Sequence, residues 1–181
     1  MTRELDQYYM KLAIDLALKG EGKTSPNPLV GAVVMKSGKV ISKGYHKKAG
    51  LPHAEIIALR KAGRKSIGAD LFVNLEPCCH HGRTPPCVEA IIEAGIKRVV
   101  IGVSDPNNLV NGKSIRLLRK KGVGVVTGVL KKDCEKLNES FFKYIRTGRP
   151  FLILKSALSL DGKIATRMGD SKWITGPKAR D

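Results

Sequence analysis

Leu5, Tyr9, Leu12 and Leu16 recur at spacings of four, three and four. That period predicts an amphipathic helix over 4–19, ended by Gly20 and Gly22. A loop with two prolines, Thr24-Ser25-Pro26-Asn27-Pro28, separates it from two apolar runs, 29–35 and 39–45. A Lys36-Ser37-Gly38-Lys39 turn joins these runs, which read as a pair of strands. Pro52 and Gly63 bracket a helix over 53–62, and 69–75 reads as a strand running into a loop rich in Pro, Gly, Cys and His. The remainder alternates: helix at 87–95, strand at 97–103, helix at 113–122 and strand at 123–129. A last helix at 132–146 has Leu137, Phe141, Tyr144 and Ile145 on one face. Strands alternating with helices predict an α/β sheet with helices on both faces. Pro150 interrupts the chain, and 151–165 reads as a fresh apolar strand, so a domain boundary is expected at 147–150.

Length and charge narrow the classes. The 181 residues fit one domain with little left over, and 42% hydrophobic with 27% charged residues excludes a disordered or low-complexity chain. Thirty-three Lys and Arg against sixteen Asp and Glu leave +17, which points to an anionic partner: nucleic acid, a membrane surface or a phosphorylated small molecule. The excess is spread along the chain with no long basic tail. Clusters such as Arg116-Arg119-Lys120-Lys121 read as solvated helix faces. The longest apolar runs fall far short of the ~20 residues that cross a bilayer. The first fifteen residues carry Glu4, Asp6 and Asp15, unlike a signal-peptide core, so a cytoplasmic protein is expected. In that setting the four cysteines read as metal ligands or free thiols, not disulfides.

His53-Ala54-Glu55, Pro77-Cys78 and Cys87 carry the chemistry. One His and two thiolates make three protein ligands for zinc and leave a fourth tetrahedral position for water, the catalytic arrangement. Glu55 lies two residues from His53, which on a regular helix points it to nearly the opposite side, so it is expected beside the metal and not on it. Zinc nucleobase deaminases combine H-x-E with P-C-x-x-C and use the Glu as general acid and base. Here the second cysteine follows the first after eight intervening residues. Each piece alone is weak, since His and Glu are common at helix starts and buried thiols are ordinary. Their order, between strand and helix signals, is what distinguishes them. Cys79 is read as a neighbouring free thiol that could exchange with a ligand, and Cys134 as packing. His46, at a strand end, and Asp105-Pro106-Asn107, after a central strand, are read as site residues against surface and turn alternatives.

Four segments then resemble one family: Thr24–Val33, His53–Glu55, Leu75–Cys87 with its His-x-Gly-x-Thr-Pro-Pro-Cys core, and Asp105–Lys113. Together they are similar to the deaminase domain of the bifunctional riboflavin-biosynthesis deaminase–reductase, with Cys79, His81, Asn108 and Ser114 departing from common choices. The resemblance implies an α/β fold, a cytidine-deaminase-like three-layer α/β/α sandwich with a central mixed sheet. It implies one zinc ion per chain, with His53, Cys78 and Cys87 as ligands and Glu55 as proton shuttle. Asn27, His46, His80, Arg83, Asp105 and Asn107 fall at its substrate-contacting positions. The implied reaction removes the ring 2-amino group of 2,5-diamino-6-(5-phosphoribosylamino)pyrimidin-4-one, with ammonia as co-product.

The expected organisation is a zinc-dependent deaminase domain over 1–147, then a linker and the truncated start of a dihydrofolate-reductase-like domain over 148–181. About thirty residues cannot bury a core of their own. NADPH would bind only to a full reductase domain, so reductase activity is not expected from this chain. The expected partners are a phosphorylated pyrimidine and further copies of the chain in a homo-oligomer, not nucleic acid or membrane. Two other functions compete: a tRNA-adenosine or nucleoside deaminase, which the charge favours and the long cysteine loop disfavours, and a non-catalytic zinc module that binds nucleic acid, which needs a fourth protein ligand.

Overall fold

The computed structural model describes residues 2–80, 85–172, 176 and 178. The chain divides into two compact units, 1–150 and 151–181.

The first unit is built on five strands: β1 (Gly31–Lys36), β2 (Lys39–Tyr45), β3 (Asp70–Leu75), β4 (Arg98–Val103) and β5 (Gly124–Thr127). They form one sheet in the order β2-β1-β3-β4-β5. β1 is antiparallel to both β2 and β3, whereas β3, β4 and β5 run parallel, so the sheet is mixed. Six helices complete it: α1 (Arg3–Leu18), α2 (Ala54–Ala62), α3 (Cys87–Glu93), α4 (Lys113–Lys120), α5 (Lys131–Leu137) and α6 (Glu139–Thr147). Side chains of the inner strands alternate between two cores. Ala32, Val34, Val99 and Ile101 face α2, α3 and α4, and Val33, Met35 and Val100 face α1, α5 and α6. With both faces covered, these strands read as nearly continuous apolar runs. No helix among the described residues is long and apolar enough to cross a membrane.

Three details depart from the sequence reading. On α1 the buried stripe is Tyr9, Met10, Ala13, Ile14 and Ala17, while Leu5, Leu12 and Leu16 are only partly buried. The small residues let the helix lie directly on β1, and the leucines flank the contact. The single helix expected at 132–146 is two, broken at Asn138. Phe142 takes the fully buried place, and Tyr144 is exposed. The strand expected at 151–165 is absent among the described residues. An extended apolar segment becomes a strand only when another strand pairs its N–H and C=O groups in a ladder, and the five-stranded sheet takes in no part of 151–165.

The register explains where a site can form. Gly31 pairs with Tyr45, so β2 ends where β1 begins. β1 runs against β3, which brings its start to the carboxyl end of β3. The loops at 24–30, 46–53 and 104–112 and the segment 76–80 therefore share one end of the sheet, where parallel strands of open α/β sheets bind ligands. Two asparagines hold that end. Asn74 Oδ1 accepts from the Gly31 N–H at 2.8 Å, and its Nδ2 donates to the Leu29 carbonyl at 2.9 Å. Asn138 does the same for both backbone groups of Leu29, at 2.8 and 2.9 Å, and this is why the helix breaks there. Asn138→Ala strands the Leu29 N–H, and its expected cost is about 2 kcal/mol of unfolding free energy by denaturant titration. A loss below about 0.5 kcal/mol would show that the two bonds do not hold this end.

Candidate metal centre

His53 is the residue before α2, in an extended conformation, and Glu55 lies in the helix's first turn. Because His53 is not itself helical, the two side chains do not diverge as regular helical spacing suggests, and both line the same cavity. Cys78 follows β3, and Cys87 opens α3. His53 Nδ1 lies 3.2 Å from Cys87 Sγ and 3.6 Å from Cys78 Sγ, and the Cys87 N–H donates to Cys78 Sγ at 3.3 Å. Among the described residues these three form the cluster able to hold a metal ion, with ligand atoms within 4.8 Å of one another. A tetrahedral zinc site with one nitrogen and two sulfur ligands has edges of about 3.5 Å, so the donor set fits zinc.

The charges are tightly linked. The hydrogen bond from Cys87 brings the Cys78 thiol down to about 4, while the same partnership and burial push the Cys87 thiol upward. Of the two sulfurs, Cys78 carries the first negative charge. The bond to Cys78 raises the affinity of His53 for a proton. Burial raises that of Glu55, whose Oε2 is buried without a hydrogen-bond partner. A dication resolves this arrangement, since a coordinating thiol is deprotonated outright.

The cavity beside the cluster holds about 410 Å³ and brings together Asn27, His46, His80, Asp105 and Asn107 with His53, Glu55 and Cys78. Asp105 is buried, which pushes its carboxyl up to about 6. Its Oδ1 accepts from the Asn107 N–H at 2.8 Å, and Asn107 Oδ1 accepts from the Leu109 N–H at 3.0 Å. These residues are thus both a turn and a cavity wall. His80 Nδ1 is buried without a partner. His46 is 2% exposed, with Nε2 at 3.0 Å from Asn27 Nδ2 and Nδ1 at 3.2 Å from the Pro52 carbonyl oxygen. Arg83, expected at a substrate-contacting position, lies outside the described residues, as does His81. Cys79 stands outside the metal cluster, its thiol 3.7 Å from the Leu109 carbonyl oxygen, and Cys134 is fully buried in the core.

Sequence reasoning gave no role to two residues that matter here. Glu76 is buried, and its carboxylate accepts from the N–H groups of Asp105 and Gly112 and from Ser114 Oγ. It ties the loop after β3 to the loop after β4, yet in sequence only its place before Pro77-Cys78 hints at this. Phe141, on α6, walls the cavity from a helix far along the chain.

Residues 3–103 match the family model of the cytidine and deoxycytidylate deaminase zinc-binding region. The chain belongs to this family of zinc-binding deaminase domains. Residues 150–181 match a second family, the RibD C-terminal domain. The chain is 56% identical over 180 residues to the riboflavin biosynthesis protein RibD of Aquifex aeolicus (strain VF5), covering 99% of this chain and 51% of that protein. RibD of Acinetobacter baumannii superposes with a TM-score of 0.93 at 49% identity, over 99% of this chain and 50% of that one. A diaminohydroxyphosphoribosylaminopyrimidine deaminase/5-amino-6-(5-phosphoribosylamino)uracil reductase from Thermotoga maritima gives 0.92 at 50% identity, over 96% and 50%. The chain therefore spans about half the length of the relatives it matches.

Metal analysis of the purified chain should find about one zinc per molecule. Cys87→Ser should drop this well below stoichiometry, and Cys79→Ser should leave it unchanged. Loss of zinc in Cys79→Ser would reassign the ligand set.

Proposed function

We propose that this chain removes the ring 2-amino group of 2,5-diamino-6-(5-phosphoribosylamino)pyrimidin-4-one by hydrolysis, giving 5-amino-6-(5-phosphoribosylamino)uracil and ammonia. His53, Cys78 and Cys87 hold zinc, and Glu55 is the acid and base. The observation that carries this reading is a buried carboxylate with an unpartnered oxygen beside a three-ligand cluster on one cavity wall. A structural zinc module would close the site with a fourth protein ligand and would have no use for Glu55. The names of the relatives at 50–56% identity supply the substrate.

Held by His53, Cys78 and Cys87, zinc would supply a water whose pKa is lowered from about 15.7 towards about 7. The side chains do the rest. Glu55 takes a proton from the attacking water on its buried carboxylate and delivers it to a ring nitrogen; it then takes the proton of the hydroxyl added to the ring carbon and passes it to the amine, which leaves as ammonia while the ring carbonyl forms. Burial strengthens its hold on the proton between these transfers, as a shuttle needs. Apolar walls from Val30, Leu75, Val110 and Phe141 keep the ring out of bulk water, and Asn27, His80, Asp105 and Asn107 face its polar edge and sugar. Residues 1–147 form the deaminase domain in this reading, and 148–181 the start of the reductase domain, supported by the second family match. In this reading the enzyme is cytoplasmic.

Glu55→Gln should keep zinc and lose roughly 10²- to 10⁴-fold in kcat, read as ammonia release from the pyrimidine phosphate. A zinc-loaded Glu55→Gln protein turning over near the wild-type rate would remove Glu55 from the mechanism. Faster ammonia release from cytidine or an adenosine-containing stem-loop would instead identify a nucleoside or tRNA deaminase. Steeply salt-dependent nucleic-acid binding with no ammonia release would identify a binding module.

A further inference from the structure

His46 falls where the family resemblance implies a substrate contact, but its surroundings in the fold give it other work. Its ring is almost fully enclosed, stands edge-on to His53 with centroids 5.4 Å apart, and has a protein group at each nitrogen. Its backbone N–H donates to the Val30 carbonyl at 2.9 Å, which fixes the residue to the loop before β1.

The partners dictate the ring's state in sequence. The Pro52 carbonyl can only accept, so the nitrogen 3.2 Å from it, Nδ1, carries the proton. Asn27 Nδ2 lies 3.0 Å from Nε2 and an amide nitrogen can only donate, so Nε2 is bare and accepts. The amide cannot turn over without setting its oxygen against a lone pair. Asn27 is thereby left with Oδ1 as the atom to offer a ligand in the cavity it lines.

We infer that His46 is a positioning residue: held as the Nδ1–H tautomer by the Pro52 carbonyl, it fixes the Asn27 amide so that its oxygen reads a hydrogen-bond donor, a hydroxyl or amino group, on the substrate. The same bond steadies the peptide that leads into His53. This rests on the reading of the cavity as a substrate site, and it assigns that site a demand for a donor at Asn27. A substrate analogue with only an acceptor there meets the amide oxygen and is rejected.

Two measurements test it on the zinc-loaded full chain. Long-range proton–nitrogen correlation spectra of the ¹⁵N-histidine protein, with His46 assigned by its loss in His46→Asn, should show Nδ1 protonated and Nε2 bare. An Nε2-protonated or doubly protonated ring overturns the inference. In steady-state deamination, His46→Asn keeps a donor for Pro52 but loses the acceptor for Asn27. It should raise KM about 10- to 100-fold with kcat within about threefold, as should Asn27→Ala. The double variant should be no worse than Asn27→Ala alone. His46→Gln, whose amide oxygen can replace Nε2, should recover most of the loss. Multiplying effects in the double variant, or a His46→Gln as poor as His46→Asn, would make His46 a direct substrate contact and sink the positioning role. If the wild-type protein releases no ammonia, the functional reading fails, and the tautomer spectrum still decides the ring's state.

Discussion

The site depends on how closely α2 lies on the sheet. β2 has glycine at position 44, and a Cβ there would run into the Ala54 carbonyl and crowd the Ala58 backbone. Ser42 Oγ donates to the Ala58 carbonyl at 2.7 Å, which ties a strand side chain directly to the helix backbone. On the other face, a Cβ on Gly31 would strike the Ala13 carbonyl of α1. Both helices therefore sit nearer the sheet than side-chain packing allows. For α2 this proximity sets where its first turn begins, and His53 and Glu55 are the residues at that beginning. Reactive constellations tolerate displacements of only about 0.5 Å, and a methyl group inserted under α2 would exceed that.

A second constraint operates at the same end. Where the strands stop, their backbone groups lose ladder partners, and buried N–H and C=O groups must find others. Asn74 and Asn138 supply them for Leu29 and Gly31, and Glu76 supplies an acceptor for the backbone of Asp105 and Gly112. Each substitute also fixes a cavity wall: Leu29 follows Asn27, and Asp105 starts the turn that carries Asn107. The polar side chains that finish the sheet are thus the ones that shape the cavity. Rigidity there comes from hydrogen bonds between loops distant in sequence, 109 residues apart for Asn138 and Leu29.

The same distinction explains what could be read in advance. Alternating strand and helix signals located all five strands and most helices, because both faces of the sheet are covered and its apolar runs are long. His53, Cys78 and Cys87 were visible through residue type and order, and the structure brings them within ligating distance of one another. The break at Asn138 was not visible: the local pattern there is helical, and the interruption answers a need of Leu29. Glu76 looked like part of a motif, with no sign of the three donors that converge on it. The apolar run at 151–165 shows the converse, since strand propensity alone makes no strand, and Leu152, Ile153 and Leu154 are more than 80% exposed. Local signals gave the elements, and long-range polar satisfaction decided how they end.

The net charge takes on a different meaning once the cavity is drawn. Of the described residues that line it, none is Lys or Arg, and Glu55, Glu76, Asp105 and Cys78 are all groups that carry negative charge when ionised. A +17 chain thus has a cavity whose described lining is acid-rich. Buried anions crowded together raise one another's proton affinity, as burial and Cys78 do for Glu55. Cys78 ionises with the help of its hydrogen bond from Cys87, but the Cys87 thiol is pushed upward, and a positive charge inside the cluster lets it give up its proton as well. A zinc ion supplies that charge without occupying hydrogen-bonding volume, whereas a lysine would compete with the substrate for it. The anionic character of the cavity is therefore evidence for the metal, and the charge of the whole chain is not evidence for the substrate.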